Sequence, residues 1–80
     1  MLGNITDAAG LAVPGATVTI TETRTNISYN TTTNDTGYYI FSNLKDGHYK
    51  VVGELSGFKR VVRDDVIVDV NATLRVDLKM

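Results

Sequence analysis

The sequence predicts an all-β fold, an antiparallel two-sheet sandwich of about seven strands. Three observations carry that prediction. Apolar and polar residues alternate with a period of two through most regular segments. Gly, Asn and Asp turns interrupt the alternation roughly every 8–12 residues. No stretch sustains a helical period, and Thr, Val, Ile and Tyr dominate between the turns. Strands this short favour a sandwich over a closed barrel.

The first strand is read as Leu2–Thr6, turned by Asp7-Ala8-Ala9-Gly10. Val13-Pro14-Gly15 makes a second break, because Pro fixes φ and Gly accepts a positive one. Ala16–Thr21 alternates cleanly, with Ala16, Val18 and Ile20 on one face and Thr17, Thr19 and Thr21 on the other. A turn over Thr23–Asn26 leads to Ile27–Thr33, which is Thr-rich and weakly apolar, as suits an edge strand. Asn34-Asp35-Thr36-Gly37 is a hairpin turn. It opens Tyr38–Phe41, with Tyr39 and Phe41 on one face. Lys45-Asp46-Gly47 turns into His48–Leu55 and sets Tyr49, Val51 and Leu55 inward; Ser56-Gly57 ends that strand. Phe58–Arg63 and Val66–Val70 are expected as separate strands joined by a turn at Asp64-Asp65. Ala72–Leu78 closes the domain. Val66, Val68 and Val70, then Leu74, Val76 and Leu78, recur at every second position.

Eighty residues make one domain, residues 1–80, with no room for a second core. A chain of this size buries only about 60–65% of its unfolded surface, so its stability margin is thin. With no cysteine and a single histidine it has no disulfide and no cysteine-based zinc site. Apolar burial and backbone pairing must hold it together. A net charge of −1 from eight basic and nine acidic residues argues against a nucleic-acid partner. No apolar run approaches the roughly 20 residues of a membrane-spanning helix. No charged region or apolar stretch precedes the first strand, so no signal peptide is expected. Met1 and Met80 abut the first and last expected strands, as in a domain excised from a longer protein or an engineered scaffold.

Gly15-Ala16-Thr17-Val18 opens the second strand, and Gly37-Tyr38-Tyr39-Ile40-Phe41 is followed at fixed spacing by Leu44, Gly47 and Tyr49. Gly57-Phe58-Lys59 and a terminal Val76-Asp77-Leu78 complete the pattern, with Gly3-x-Ile5-Thr6-Asp7 fitting at the start. This pattern resembles the carboxypeptidase regulatory-like domain, whose fold is the transthyretin-like (prealbumin-like) sandwich. The resemblance covers nearly the whole chain and is most specific from Asn34 to Phe58. The same residues have a folding explanation. Gly37 and Gly47 start strands after tight turns, and Tyr39, Phe41, Leu44 and Tyr49 can fill one side of the core. A buried Tyr also needs a partner for its hydroxyl.

The resemblance is strongest to copies that precede the plug of bacterial TonB-dependent outer-membrane receptors. It implies an accessory module without catalytic residues in an extracytoplasmic setting, whether periplasm, outer membrane or cell surface. The collagen-adhesin B-type repeat is similar in its aromatic spacing. Many of its members carry a Lys–Asn isopeptide bond promoted by a buried acid. Here no Lys precedes Lys45, and the parity of Glu54 points it to solvent, so no such bond is expected.

Candidate chemistry is sparse. A nucleophilic triad needs a His oriented by an acid, but His48 follows Gly47 in a turn with its parity away from the core. Asp64 and Asp65 are adjacent, so as strand residues they would face opposite ways. Calcium needs six to eight converging oxygens; Asp7 with its turn, or Asn34-Asp35-Thr36, supplies too few. Lys59, Arg60 and Arg63 read as a solvated strand face balanced by the two aspartates. Asn-x-Ser/Thr triplets begin at Asn4, Asn26, Asn30, Asn34 and Asn71, which would accept glycans only in a eukaryotic secreted protein. The threonine face of Ala16–Thr21, with Tyr29 and Thr31, is a candidate flat sugar- or partner-binding surface. No catalytic, cofactor-binding or metal residue is assigned and no cofactor is expected. The sequence therefore reads as a non-catalytic structural or interaction module. Its partners are neighbouring domains, an envelope protein or a glycan; a carbohydrate-binding module and an excised scaffold are the alternatives.

Overall fold

The computed structural model describes residues 1–42, 44–55, 59–69 and 73–80. The expected break at Ser56-Gly57, the Phe58 of the family pattern, Val70, the triplet at Asn71 and the start of the last strand at Ala72 lie outside the described residues. Seven strands form without a helix: β1 Leu2–Thr6, β2 Thr17–Glu22, β3 Ser28–Thr32, β4 Tyr38–Ile40, β5 Gly47–Leu55, β6 Lys59–Val68 and β7 Leu78–Lys79. They make two sheets, ordered β4-β1-β7 and β3-β2-β5-β6. The chain is thus an all-β two-sheet sandwich, consistent with the prealbumin-like fold.

The alternation read from sequence builds the core. Ile5, Val18, Ile20, Tyr39, Tyr49, Val51 and Leu78 are fully buried, with Ala16, Phe41, Val66, Val68 and Val76 around them. Apolar surface removed from water is worth about 25 cal/mol per Å². In a chain without cross-links this burial is the main favourable term. Tyr39 and Phe41 meet edge to face, their ring centroids 6.1 Å apart. Both buried tyrosines satisfy their hydroxyls on backbone: Tyr39 donates to the Val76 carbonyl and Tyr49 to that of Lys45 at 2.8 Å.

Pairing is not antiparallel throughout. β1 runs antiparallel to β4 but parallel to β7, with Ile5 opposite Leu78 and Thr6 opposite Lys79. A hairpin forces antiparallel neighbours, but β7 returns from β6 in the other sheet, and a crossover of that kind permits either direction. The last strand is also shorter than expected. Bonds from Leu2 N to Leu74 O and from Val76 N to Leu2 O begin a ladder along β1. The Asp77 carboxylate then takes the Asn4 N–H at 2.9 Å in place of a backbone acceptor, and regular pairing resumes only at Leu78.

The two strands expected at 58–63 and 66–70 are one. Asp64 and Asp65 form a bulge inside β6: Tyr49 pairs with Val66 and Val51 with Arg63, so two aspartates oppose the single Lys50. Asp65 takes φ 54°, a left-handed conformation that Asp tolerates better than most residues. An extra residue reverses the parity. Val61 and Arg63 lie on the core side before the bulge, Val66 and Val68 after it. Adjacent acids read as a turn because a bulge and a turn use the same backbone preference.

Two glycines are dictated by their surroundings. Gly37 sits at φ 73° after the Asn34 turn, and a Cβ there would lie 2.6 Å from the Ile5 carbonyl oxygen. Gly3 has no special φ, yet a Cβ on it would fall 1.9 Å from the Val76 carbonyl oxygen. Gly3→Ala should destabilise the fold by about 3 kcal/mol or more, the upper end of overpacking costs. Gly10→Ala, in open space at φ 83°, should cost only about 1–2 kcal/mol. Urea unfolding of the two variants checks this, and equal midpoints would refute it.

Burial first, and then the nearby Asp77 charge, push the Tyr39 hydroxyl up to about 12 from an ordinary value of 10. Folding therefore favours the protonated phenol. Its contribution should be complete below pH 10 and lost as pH rises through about 12. Thermal melts across that range should fall steeply in the native protein and less in Tyr39→Phe.

Candidate functional site

Polar side chains concentrate at turns and at one end of the larger sheet. In β2 the alternation continues past Ile20 to Glu22, which is only 7% exposed and paired across the sheet with Tyr49. Its carboxylate packs beneath Gly47, 3.5 Å from where a Cβ would stand. Thr25 donates its hydroxyl to Oε2 at 3.2 Å. Oε1 has no hydrogen bond; the Nε of the exposed Arg24 lies 3.4 Å away, in ion-pair range without the alignment of a bond. The Glu22 backbone closes the same turn, accepting from Asn26 N at 2.7 Å, with Asn26 at φ 62°. Burial, together with the charge of Glu22, holds the Tyr49 hydroxyl above its ordinary value.

Sequence reasoning ended the strand at Thr21 and missed this carboxylate. The signal that locates it is parity: residues 16, 18, 20 and 22 share a face. Glu54, by contrast, is exposed, as its parity requires. The contacts of Glu22 identify it as a turn-closing acid, with Arg24, Thr25, Gly47 and Tyr49 around it and no lysine among them.

A second network joins β1 to the C-terminal segment. Asp77 accepts from Asn4 N and from Arg75 Nε at 3.1 Å, while Arg75 donates to Asn4 Oδ1 at 2.8 Å. The Asn4 amide donates in turn to Thr36 O at 3.2 Å. The backbone bond from Asn4, and then Arg75, hold the Asp77 carboxyl below its usual range. The network is exposed, and its geometry fixes register more than it adds stability.

Other singled-out residues scatter. His48 is the second residue of β5, not a turn residue, and is exposed on the outer face opposite Ile67. It borders a cleft of about 350 Å³ with Arg24, Asp46, Gly47, Ile67, Val68 and Asp69. Asp7 Oδ1 accepts from Ala9 N and Leu11 N, and Asn34 Oδ1 accepts from Thr36 N, Thr36 Oγ1 and Tyr38 N. Both oxygens close their own turns. Among the described residues, no three His, Cys, Asp or Glu side chains are grouped to hold a metal ion. No described helix is long and apolar enough to cross a membrane.

The basic trio does not share a face. Arg60 stands opposite Glu54 on the outer face, whereas Lys59 and Arg63 oppose Leu55 and Val51 on the core side, at the rim. Arg63 reaches the Asp77 carbonyl at 3.4 Å. The composite threonine–tyrosine surface also divides. Ile20 is directly opposite Tyr29 and Val18 opposite Thr31, so Tyr29 and Thr31 lie on the core-facing side of the edge strand. The outer face carries Thr17, Thr19 and Thr21 with Ser28, Asn30 and Thr32, and no aromatic residue accompanies them there. Cross-strand partners share a face, a constraint that only the register supplies.

An underpaired buried carboxylate adds little to stability, and an apolar side chain of similar volume serves as well or better. Glu22→Met should leave stability unchanged or raise it by about 1–2 kcal/mol at neutral pH. Glu22→Ala, which leaves a void under Gly47, should lower it by about 1–2 kcal/mol. Denaturant midpoints check both; a large loss in Glu22→Met would mean that the carboxylate itself is required.

Comparison with known families finds one match, to the carboxypeptidase regulatory-like domain, over residues 1–80. No curated protein matches the chain. That family consists of generally non-catalytic β-sandwich modules. The matched span takes in every strand, including the close approach of Gly3 to Val76 and the Tyr39 and Tyr49 hydroxyl anchors. On fold and on family pattern together, the chain belongs to the carboxypeptidase regulatory-like domain family.

Proposed function

We propose that this chain is a non-catalytic interaction module of a bacterial cell-envelope protein, an accessory extension of a TonB-dependent outer-membrane receptor. One observation carries the module reading: the family match spans residues 1–80, and the polar side chains within them are spent on turns and sheet register. Its action is passive. A rigid sandwich presents loops and sheet edges to a neighbouring domain or an envelope partner, and strand addition at an edge is the physical route to such contacts. The envelope setting rests on the resemblance of the glycine and aromatic spacing to receptor copies.

The carbohydrate-binding alternative draws less support once Tyr29 and the outer threonines lie on different faces. An antibody raised against this domain should detect its parent polypeptide in the outer-membrane fraction, and the parent gene should encode a plug and barrel downstream. A cytoplasmic parent would overturn the envelope reading. A glycan screen should give no binding; binding abolished by Tyr29→Ala would favour the carbohydrate reading instead.

A further inference from the structure

The larger sheet ends in two edges, and they differ. β6 carries Lys59, Arg60, Arg63, Asp64 and Asp65 together with its bulge, all devices that oppose further pairing. β3, with the sequence Ser-Tyr-Asn-Thr-Thr, has no charge, no proline and no bulge. β4 and β7, with three and two residues, are too short to template a strand.

The backbone of β3 is half used. Glu22 N bonds Ile27 O and Thr33 N bonds Ala16 O, which places residues 27, 29, 31 and 33 in the hydrogen-bonded pairs with β2. By alternation, Ser28, Asn30 and Thr32 aim their N–H and C=O groups away from the sheet. Their closer side-chain pairing with β2 agrees, Thr21 Oγ1 lying 2.8 Å from Ser28 Oγ.

We propose that β3 pairs antiparallel with β3 of a second copy of this chain, on a two-fold axis at Asn30. Only a register that sets outward residues against outward residues can bond. Centring on Asn30 uses all three, Ser28 against Thr32 and Asn30 against itself, for about six backbone bonds; centring on Tyr29 or Thr31 gives about four. Each Tyr29, 48% exposed in the single chain, then lies beside Thr31 of the other copy. The ends of the strand are complementary in charge. The turn carrying Arg24, whose side chain is 81% exposed, falls beside the second copy's turn carrying Asp35, and symmetry repeats the contact. A neutral centre with opposite charges beyond its two ends is self-complementary, which selects a second copy as the occupant. The contact is confined to one edge, so the dimer belongs to the weak, small-interface class. It does not depend on the envelope setting proposed above.

The absence of cysteine makes the test clean. In this register residue 29 of one chain faces residue 31 of the other as a non-hydrogen-bonded pair, with Cα atoms about 4.5 Å apart, within disulfide range. A mixture of Tyr29→Cys and Thr31→Cys should form mixed disulfide dimers at least tenfold faster than either variant alone. Faster cross-linking of either variant with itself would overturn the register. Equal slow rates, with a monomer mass at about 1 mM, would overturn the pairing. Asn30→Pro removes an N–H that makes no bond within the chain, so the monomer should stay folded while its dimer dissociation constant rises at least tenfold. Asn30→Lys sets two cations together on the axis and should do the same; a dimer unaffected by both would overturn the proposal.

Discussion

The Val76 carbonyl is the point on which the smaller sheet closes. Gly3 leaves the space it occupies, and the Tyr39 hydroxyl donates to it from β4. Three strands are therefore drawn together through a single backbone oxygen, and β1 is held between neighbours of opposite direction. The sheets meet nearby: Leu78 and Ile5 lie 3.2 and 3.3 Å from where a Cβ on Gly53 would stand. A domain of this size without disulfides depends on such close approaches, because packing is the main interaction available to it. The Asn4–Arg75–Asp77 network then fixes the register in which the approach occurs.

Around that closure the polar residues serve the chain itself. Asp7 and Asn34 close loops, and Thr33 donates to Val13 O while accepting from Ala16 N, tying the Pro14 turn to the end of β3. Glu22 closes the β2–β3 turn from inside the sandwich. An enzyme leaves such groups free to meet substrate; here they are turned inward on backbone. The remaining resource for recognition is backbone at the sheet edges, and the two edges of the larger sheet carry opposite signals, one charged and bulged, the other neutral and regular.

Much of the fold was legible because period-two alternation and turn chemistry are local. Ala16, Val18, Ile20, Tyr39, Tyr49, Val51, Val66, Val76 and Leu78 all bury as their parity requires. What escaped was non-local. The direction of β7 depends on a crossover, and the fusion of two expected strands into β6 depends on Lys50 opposing two aspartates. The division of Tyr29 from the threonines depends on cross-strand register, which no single strand contains. Glu22 escaped for a different reason: its parity was plain, but a charged residue at a strand end reads as the start of a turn. Gly3 is the reverse case, recognisable in the family spacing while its cause, the carbonyl of Val76, lies 73 positions away.

The parallel pairing of β1 with β7 has a mechanical consequence. Leu2 lies beside Arg75 and Thr6 beside Lys79, so the first strand begins at one end of the ladder and the last strand finishes at the other. Tension applied through the two termini would load these hydrogen bonds in shear, with all of them sharing the force at once. Antiparallel terminal strands entering from the same end would instead peel apart bond by bond. A small sandwich without covalent cross-links can in this way resist pulling along its own chain far better than its thermodynamic margin suggests.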